Sequence, residues 1–148
     1  MSGILILLLQ IFGTAVISAE TMTLHHTKHH QTYVTNLNAS LEKLDTAVSS
    51  GDVSTIINLA GALKFNGGGH VNHTLFWENL CSKDASSFPS GGALKEAVDE
   101  RFGSVEEMKK ELGAKSIGVQ GSGWGWLGYN AATGENYLFL AYVELNIG

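Results

Sequence analysis

Apolar residues recur at helical spacing through the first half of the chain. Five of them succeed one another at steps of four, four, three and four residues: Tyr33, Leu37, Leu41, Leu44 and Val48. This spacing is typical of one face of an amphipathic helix. We expect the helix to end at Ser49-Ser50-Gly51, where small and flexible residues replace the apolar ones.

A second helix is predicted immediately afterwards, with Asp52 as its N-cap. Its expected buried side contains Val53, Ile56, Ile57, Ala60 and Leu63. The two helices should form an antiparallel hairpin. The run from Gly67 to Gly69 should weaken the second helix, since an interior glycine costs about 1 kcal/mol relative to alanine. We infer that something at this point requires backbone without side chains.

The segment from Cys81 to Gly92 is polar and small and holds the single proline, so we interpret it as a linker. Two short helices should follow it. The first carries Leu94, Val98 and Phe102 on one face, and the second carries Met108 and Leu112. Ser104 and Glu107 have the spacing of a capping box, in which each side chain bonds the other residue's backbone amide.

From Val119 onward the pattern favours strands. Trp124 and Trp126 should share one face of the first strand, with Leu127 and Tyr129 on the other. A loop from Asn130 to Asn136 and a return strand from Tyr137 to Val143 complete the expected hairpin.

The predicted fold class is therefore α+β. It consists of an atypical apolar segment over residues 1–17, an antiparallel helical hairpin over 18–82, and a helix-plus-antiparallel-sheet domain over 91–148. We expect this last domain to be incomplete, with an exposed sheet edge that favours aggregation.

The apolar start has an unbroken run from Ile4 to Leu9, and no charge precedes Glu20. The run is shorter than the roughly 20 apolar residues that cross a bilayer, so we expect no stable membrane span. A secretory signal is the alternative, although the segment lacks the basic residues that usually begin one. It also lacks the arginines of a mitochondrial transit peptide.

Composition narrows the function classes. The chain has 148 residues, 44% of them hydrophobic, within the range of one globular domain. A net charge of -5 with only nine Lys and Arg residues argues against nucleic acid as a partner, because such binding depends on clustered cations. The single cysteine, Cys81, excludes an internal disulfide and a paired-cysteine zinc site.

All six histidines fall in two clusters, one on each predicted helix. His25 and His29 form one row with Tyr33, and His26 and His30 form the adjacent row, because residues four apart share a helix side. His70 and His73 lie on the second helix. Neutral imidazoles on facing helices suit Mn, Fe, Zn, Cu or Ni. Periodicity alone does not choose between the two rows.

Three other motifs are interpreted as incidental. Gly123 to Gly128 has the letters of a dinucleotide-binding loop, but no helix follows to hold a pyrophosphate. The glycosylation sequons that begin at Asn38 and Asn72 lie inside predicted helices.

Three ordered motifs carry a family resemblance: LHHTKHHQTYV from Leu24, FNGGGHVNHTLFW from Phe65, and GSGWGWLG from Gly121. Over roughly Val16 to Gly134 the chain resembles the manganese branch of the iron/manganese superoxide dismutases. The resemblance implies that His25 and His73 bind the metal, that His29 and Tyr33 line the substrate gateway, and that Trp124 walls the cavity.

The resemblance also implies the metal. Iron-type members place a glutamine in the second helix where this sequence has Gly69, so manganese is implied and iron is the less favoured metal. The family's later Asn-Gln-Asp-Pro and Asp-x-Trp-Glu-His motifs, which supply a solvent-binding glutamine, a carboxylate ligand and a third histidine, do not occur. Glu78 and Glu144 are the carboxylates considered as replacements.

The implied function is disproportionation of superoxide to oxygen and hydrogen peroxide, an antioxidant activity of the mitochondrial matrix. The alternative is a truncated, catalytically deficient form that acts only as a helical-hairpin or oligomerisation module. The resemblance further implies a homo-oligomer formed through the hairpin. Secretion stays the alternative location.

Overall fold

A computed structural model describes residues 17–119, 121–130, 132 and 135–142, the last range by its backbone. The chain divides into two compact units, with the boundary between Ser86 and Ser87. Each unit is described by itself. The predicted apolar start lies outside the described residues apart from Ile17, as do Val143 and Glu144.

The first unit is a helical hairpin. Its elements are helix α1 (Ala19–Leu24), a π-helical turn (His25–His30), helix α2 (Gln31–Ser50), helix α3 (Val53–Glu78) and a 3₁₀ turn (Lys83–Ala85). Helices α2 and α3 pack along one another. The π-helical turn joins α1 to α2 without a break, a feature that the sequence pattern did not predict.

Local signals end α2 and begin α3 as predicted. Gly51 adopts a left-handed conformation with φ of 69°, which glycine adopts without steric cost. The Asp52 carboxylate then accepts a hydrogen bond from the Thr55 backbone N–H at 3.0 Å, satisfying one of the free amides of the new helix.

The buried face of α2 differs from the predicted apolar stripe. Leu41 and Val48 are 47% and 60% exposed, whereas Ser40 and Ala47 are buried. Small residues at these two positions allow the helices to approach closely, and the Ser40 hydroxyl is satisfied by donating to Asn36 O. The apolar face of α2 is therefore only partly covered by α3.

The predicted buried side of α3 needs a similar correction. Val53 and Ile57 are 63% and 67% exposed, and Ala60 is exposed, while Ile56 and Leu63 are half-buried. Periodicity identifies an apolar face but not how much of it a single neighbouring helix covers. The tip of the hairpin consequently carries uncovered apolar side chains.

Helix α3 runs unbroken through the glycine run that was expected to weaken it. A Cβ atom on Gly69 would lie 2.7 Å from Tyr33 Cγ, so the Tyr33 ring occupies the space of the missing side chain. Close approach of α2 at this level is the reason for backbone without a side chain.

A small apolar core supports the region around the π-helical turn. Met22 of α1 and Trp77 of α3 are its buried members, and Ile17, Phe76 and Leu80 pack against them. Met22 is 1% exposed. The core therefore fixes α1 against the end of α3.

The second unit contains helices α4 (Ala93–Phe102) and α5 (Val105–Gly118) and strands β1 (Gly123–Asn130) and β2 (Glu135–Tyr142). The strands pair antiparallel with Gly123 opposite Tyr142. Strand β1 thus continues to Asn130 and β2 begins before the predicted Tyr137, which leaves a shorter loop than expected.

Val98, Val105 and Met108 form the core of this unit, and Phe102 and Leu127 pack against it as partly buried neighbours. Ser104 Oγ accepts the Glu107 backbone N–H at 3.1 Å, the Ser half of the predicted capping box. A helical hairpin followed by helices and an antiparallel sheet confirms the α+β fold class. Within the described part of the chain, no helix combines the length and apolar character needed to cross a membrane.

Candidate metal centre

Three histidines converge between the π-helical turn and helix α3. His25 and His29 lie in the turn, and His73 lies on α3. One nitrogen from each ring lies within 4.8 Å of the other two. His73 is buried, His25 half-buried and His29 exposed, so the cluster opens toward solvent on the His29 side.

The orientation of the His73 ring follows from one backbone contact. Its Nδ1 lies 2.7 Å from the Gly69 carbonyl oxygen, which can only accept, so Nδ1 carries the proton. The Nε2 lone pair then points at His25 Nε2, 3.0 Å away. In the chain without a metal, His25 Nε2–H donates to this lone pair.

Tyr33 closes one side of the cluster. Its ring lies 5.3 Å from the rings of His29 and His73, measured between centroids. Burial raises the pKa of the phenol above its ordinary value. A tyrosine hydroxyl already keeps its proton at neutral pH, and the raised pKa extends this to more alkaline pH.

A second histidine pair lies beside the first. His30 Nε2 is 2.8 Å from His70 Nδ1, and the Trp77 indole N–H donates to His30 Nδ1 at 2.9 Å. His30 also stacks on His73, with centroids 5.2 Å apart and planes 18° apart. Sequence analysis gave Trp77 no role, although it is the last residue of the second quoted motif.

Burial keeps these imidazoles neutral. Desolvation, followed by repulsion from His73, lowers the pKa of His25 to about 4. The same two causes lower the pKa of His30 to about 4. Desolvation also lowers the pKa of His73, against the opposing hydrogen bond to Gly69. Neutral imidazoles are the form that binds metal ions.

Of the predicted site residues, His25, His29, His73 and Tyr33 lie together. Trp124 lies on β1 of the second unit, where its ring stacks on that of Trp126 at 5.6 Å. Glu78, considered as a replacement carboxylate, is exposed at the end of α3. The three-histidine cluster contains no carboxylate within the described residues.

One buried polar group next to His73 is unsatisfied. Asn72 is fully buried, and neither Nδ2 nor Oδ1 of its amide has a hydrogen-bond partner among the described residues. A buried asparagine is not accessible to glycosylation, which agrees with the interpretation of the sequon at Asn72 as incidental.

The donor set fits a divalent transition-metal ion. Imidazole nitrogens bind this class, whereas calcium and magnesium prefer oxygen ligands. The proton of His73 is held on Nδ1 by a backbone carbonyl and its Nε2 faces the cluster, which is the usual arrangement of a metal-binding histidine with an outer hydrogen bond.

Comparison with known proteins agrees with this geometry. Residues 14–81 match the family model described as iron/manganese superoxide dismutases, alpha-hairpin domain. Residues 89–143 match the model described as iron/manganese superoxide dismutases, C-terminal domain. The two matches follow one another in the same order as the two structural units.

Individual relatives are similarly named. The chain is 61% identical over 115 residues to a mitochondrial Mn superoxide dismutase of Charybdis feriata, covering 78% of this chain and 50% of that protein. It is 55% identical over 113 residues to mitochondrial Mn superoxide dismutase 1 of Arabidopsis thaliana, covering 76% and 49%.

A third relative, the mitochondrial Mn superoxide dismutase of Petromyzon marinus, is 52% identical over 119 residues, covering 80% of this chain and 81% of that protein. The chain spans about half the length of the first two relatives. On both family models and these identities, the chain belongs to the iron/manganese superoxide dismutase family.

Proposed function

We propose that the chain takes part in manganese-dependent disproportionation of superoxide to oxygen and hydrogen peroxide. The observation that carries the proposal is the approach of His25 Nε2 to His73 Nε2 at 3.0 Å, with a His29 nitrogen beside them. Family membership supplies the reaction type, and the relatives named above are Mn superoxide dismutases.

His25 and His73 hold the metal in this proposal. The Gly69 carbonyl keeps the proton of His73 on Nδ1, so Nε2 is available without any rearrangement of that ring. Manganese, when bound, supplies the one-electron exchange between trivalent and divalent states that oxidises one superoxide and reduces the next. A metal at this position would bind His25 through Nε2, and the proton on that nitrogen would have to move to Nδ1 or leave.

In this proposal Tyr33 supplies a proton and His29 lies where the substrate enters. Formation of hydrogen peroxide consumes two protons, and a protonated phenol can hold one near the cluster. His29 is the exposed member of the cluster, and its ring contacts that of Tyr33. A small anion entering from solvent meets His29 before His73. Trp124 is the remaining proposed site residue, as a wall of the cavity.

The glycine at position 69 supports manganese over iron through the family resemblance, and the packing around it agrees. The Tyr33 ring fills the position that a side chain at residue 69 would occupy. A glutamine there, as in iron-type members, requires Tyr33 to move. We therefore propose the manganese type for this chain.

Location and assembly extend the proposal. The relatives are named as mitochondrial proteins, and we propose the mitochondrial matrix for this chain as well. The exposed apolar side chains at the hairpin tip, including Leu41, Val48, Val53 and Ile57, support a homo-oligomer formed through the hairpin.

The test is manganese content per purified chain, measured together with superoxide removal. We expect wild-type protein to retain manganese and His73→Gln to lose most of it, since the buried lone pair is removed. His26→Gln is the matched control, because His26 lies in the π-helical turn beside the cluster and is not one of its members, and this variant should retain manganese.

Equal manganese content in His73→Gln and wild type would refute the site. Metal-free wild-type protein without activity would refute the function and leave the hairpin module as the interpretation.

A further inference from the structure

Two histidine pairs lie side by side, each joining the π-helical turn to α3, and each has the spacing to share an ion. His25 and His73 present nitrogens 3.0 Å apart, and His30 and His70 present nitrogens 2.8 Å apart. We propose that Trp77 decides between them: its indole N–H, donated to His30, closes the His30–His70 pair to metal. The proposal deepens the proposed function, since it rests on the first pair being the metal site.

The indole N–H of Trp77 determines where His30 carries its proton. A tryptophan Nε1–H can donate a hydrogen bond and cannot accept one. The His30 Nδ1 atom that receives it at 2.9 Å must therefore be unprotonated. A neutral imidazole has one proton, so in His30 this proton is on Nε2.

The proton on Nε2 already has a partner. Nε2–H of His30 donates to His70 Nδ1, which places the His70 proton on its own Nε2. Trp77, His30 and His70 thus form a chain of hydrogen bonds that runs in one direction. Both His30 nitrogens are satisfied without a metal, and His30 is buried away from competing water.

A metal at His30 Nε2 would have to displace that proton. The proton would move to Nδ1, where it would meet the Trp77 N–H head-on at hydrogen-bond distance. The site would lose one hydrogen bond and gain a repulsive contact between two donors, in a buried position where unpaired donors are costly. Trp77 therefore opposes metal binding to His30.

The opposite constraint acts on His73. Its proton is held on Nδ1 by the Gly69 carbonyl, so Nε2 carries the lone pair that a metal would bind. One donor, the indole, and one acceptor, the carbonyl, give opposite tautomers to two stacked imidazoles. The choice between His73 and His30 as a metal ligand is thus made by the partner of each ring's Nδ1 atom.

Tautomers of the metal-free protein provide the first test. Long-range ¹H–¹⁵N spectra distinguish a protonated ring nitrogen from an unprotonated one. We expect Nε2–H for His30 and Nδ1–H for His73 in the wild type. In Trp77→Phe, which removes the N–H but keeps an aromatic ring, His30 should gain a population with Nδ1–H. A wild-type His30 protonated on Nδ1 would overturn the proposal.

Zinc binding provides the second test, in a background where the first pair is removed by His25→Gln and His73→Gln. With Trp77 intact, we expect the His30 and His70 ring ¹⁵N shifts to stay unchanged on addition of Zn²⁺. Adding Trp77→Phe should tighten Zn²⁺ binding at this pair by roughly tenfold or more, the usual scale of outer-partner effects on metal sites. Equal Zn²⁺ affinity with and without the indole N–H would overturn the proposal.

A second variant, with a sulfur isostere of the indole, keeps the test valid if the Phe variant misfolds. Benzothienylalanine at position 77 keeps the shape of the indole and lacks its N–H, so it should behave as Trp77→Phe does. The tautomer measurement uses metal-free protein, so its result stands whether or not the wild type binds manganese. If the proposed function is wrong, the wild-type protein should contain no manganese. The predicted tautomers of His30 and His73 would still be observed in that case.

Discussion

The contact between Gly69 and Tyr33 gives a prediction for a single methyl group. Gly69→Ala places Cβ 2.7 Å from Tyr33 Cγ, too close for any real contact, so the ring must move. We expect the free energy of unfolding to fall by about 1–3 kcal/mol, the usual cost of overpacking. Urea denaturation followed by circular dichroism measures it.

Gly61→Ala in the same helix is the control for this change. A Cβ at Gly61 meets no atom within 4 Å, so only helix propensity changes. The variant should gain up to about 1 kcal/mol. A gain of equal size in both variants would contradict the close contact.

Asn72 gives a prediction of the opposite sign. Its buried amide has no partner among the described residues, so replacement by an apolar residue of similar size removes a desolvation cost. Asn72→Leu should raise the free energy of unfolding by about 1 kcal/mol. Thermal unfolding of metal-free protein measures the change.

Asn66 is the matched control, since it is also buried in α3 but donates from Nδ2 to Ala62 O at 2.9 Å. Asn66→Leu should gain less than Asn72→Leu. The explanation fails if the two variants change stability alike.

Residue chemistry predicted part of the site. The two histidine clusters are evident in the sequence. Periodicity did not decide whether the row of His25 or the row of His26 binds the metal, and only the family resemblance favoured His25. Trp77 was missed because its partner His30 is 47 residues away in the chain. A hydrogen bond between distant residues has no local pattern.

At the scale of elements, caps were the best predicted features, because their signals are local. The Ser104 cap of α5 is an example, with its hydroxyl accepting the Glu107 N–H. Ser104→Ala should cost the second unit about 1 kcal/mol of unfolding free energy. Ser90→Ala, at an exposed position of the same unit, should be nearly neutral in the same urea titration. Equal losses would exclude the cap as the cause.

Helix faces were predicted less well than helix ends. The stripe through Leu41 and Val48 is apolar but exposed, while Ser40 and Ala47 make the contact with α3. Apolar spacing reports which side of a helix is hydrophobic, and close packing of two helices additionally selects small residues. The pairing of β1 with β2 was predicted from alternation and a glycine-containing loop, within a few residues at each end.

At the scale of the whole molecule, stability should depend on pH through the buried histidines. Unfolded histidine binds a proton near its ordinary pKa of 6.5, whereas the pKa values of His25 and His30 are lowered to about 4. Between these values the unfolded chain binds more protons than the folded one. The free energy of unfolding of metal-free protein should therefore fall as pH decreases from about 6.5 to about 4.

Urea titrations across this interval measure the dependence. The His25→Gln variant has one buried imidazole fewer, so its stability should change less steeply with pH. Parallel curves for the variant and the wild type would show that His25 does not contribute.

The π-helical turn has a consequence for the chain's tolerance of length changes. Each residue of a helix advances the side chains about 100° around the axis. The hydrogen bonds of a π-helical turn span five residues rather than four, so the turn takes up one extra residue over a similar rotation. Deleting one residue between His25 and His30 would therefore restore a regular α-helix and leave Met22 facing Trp77.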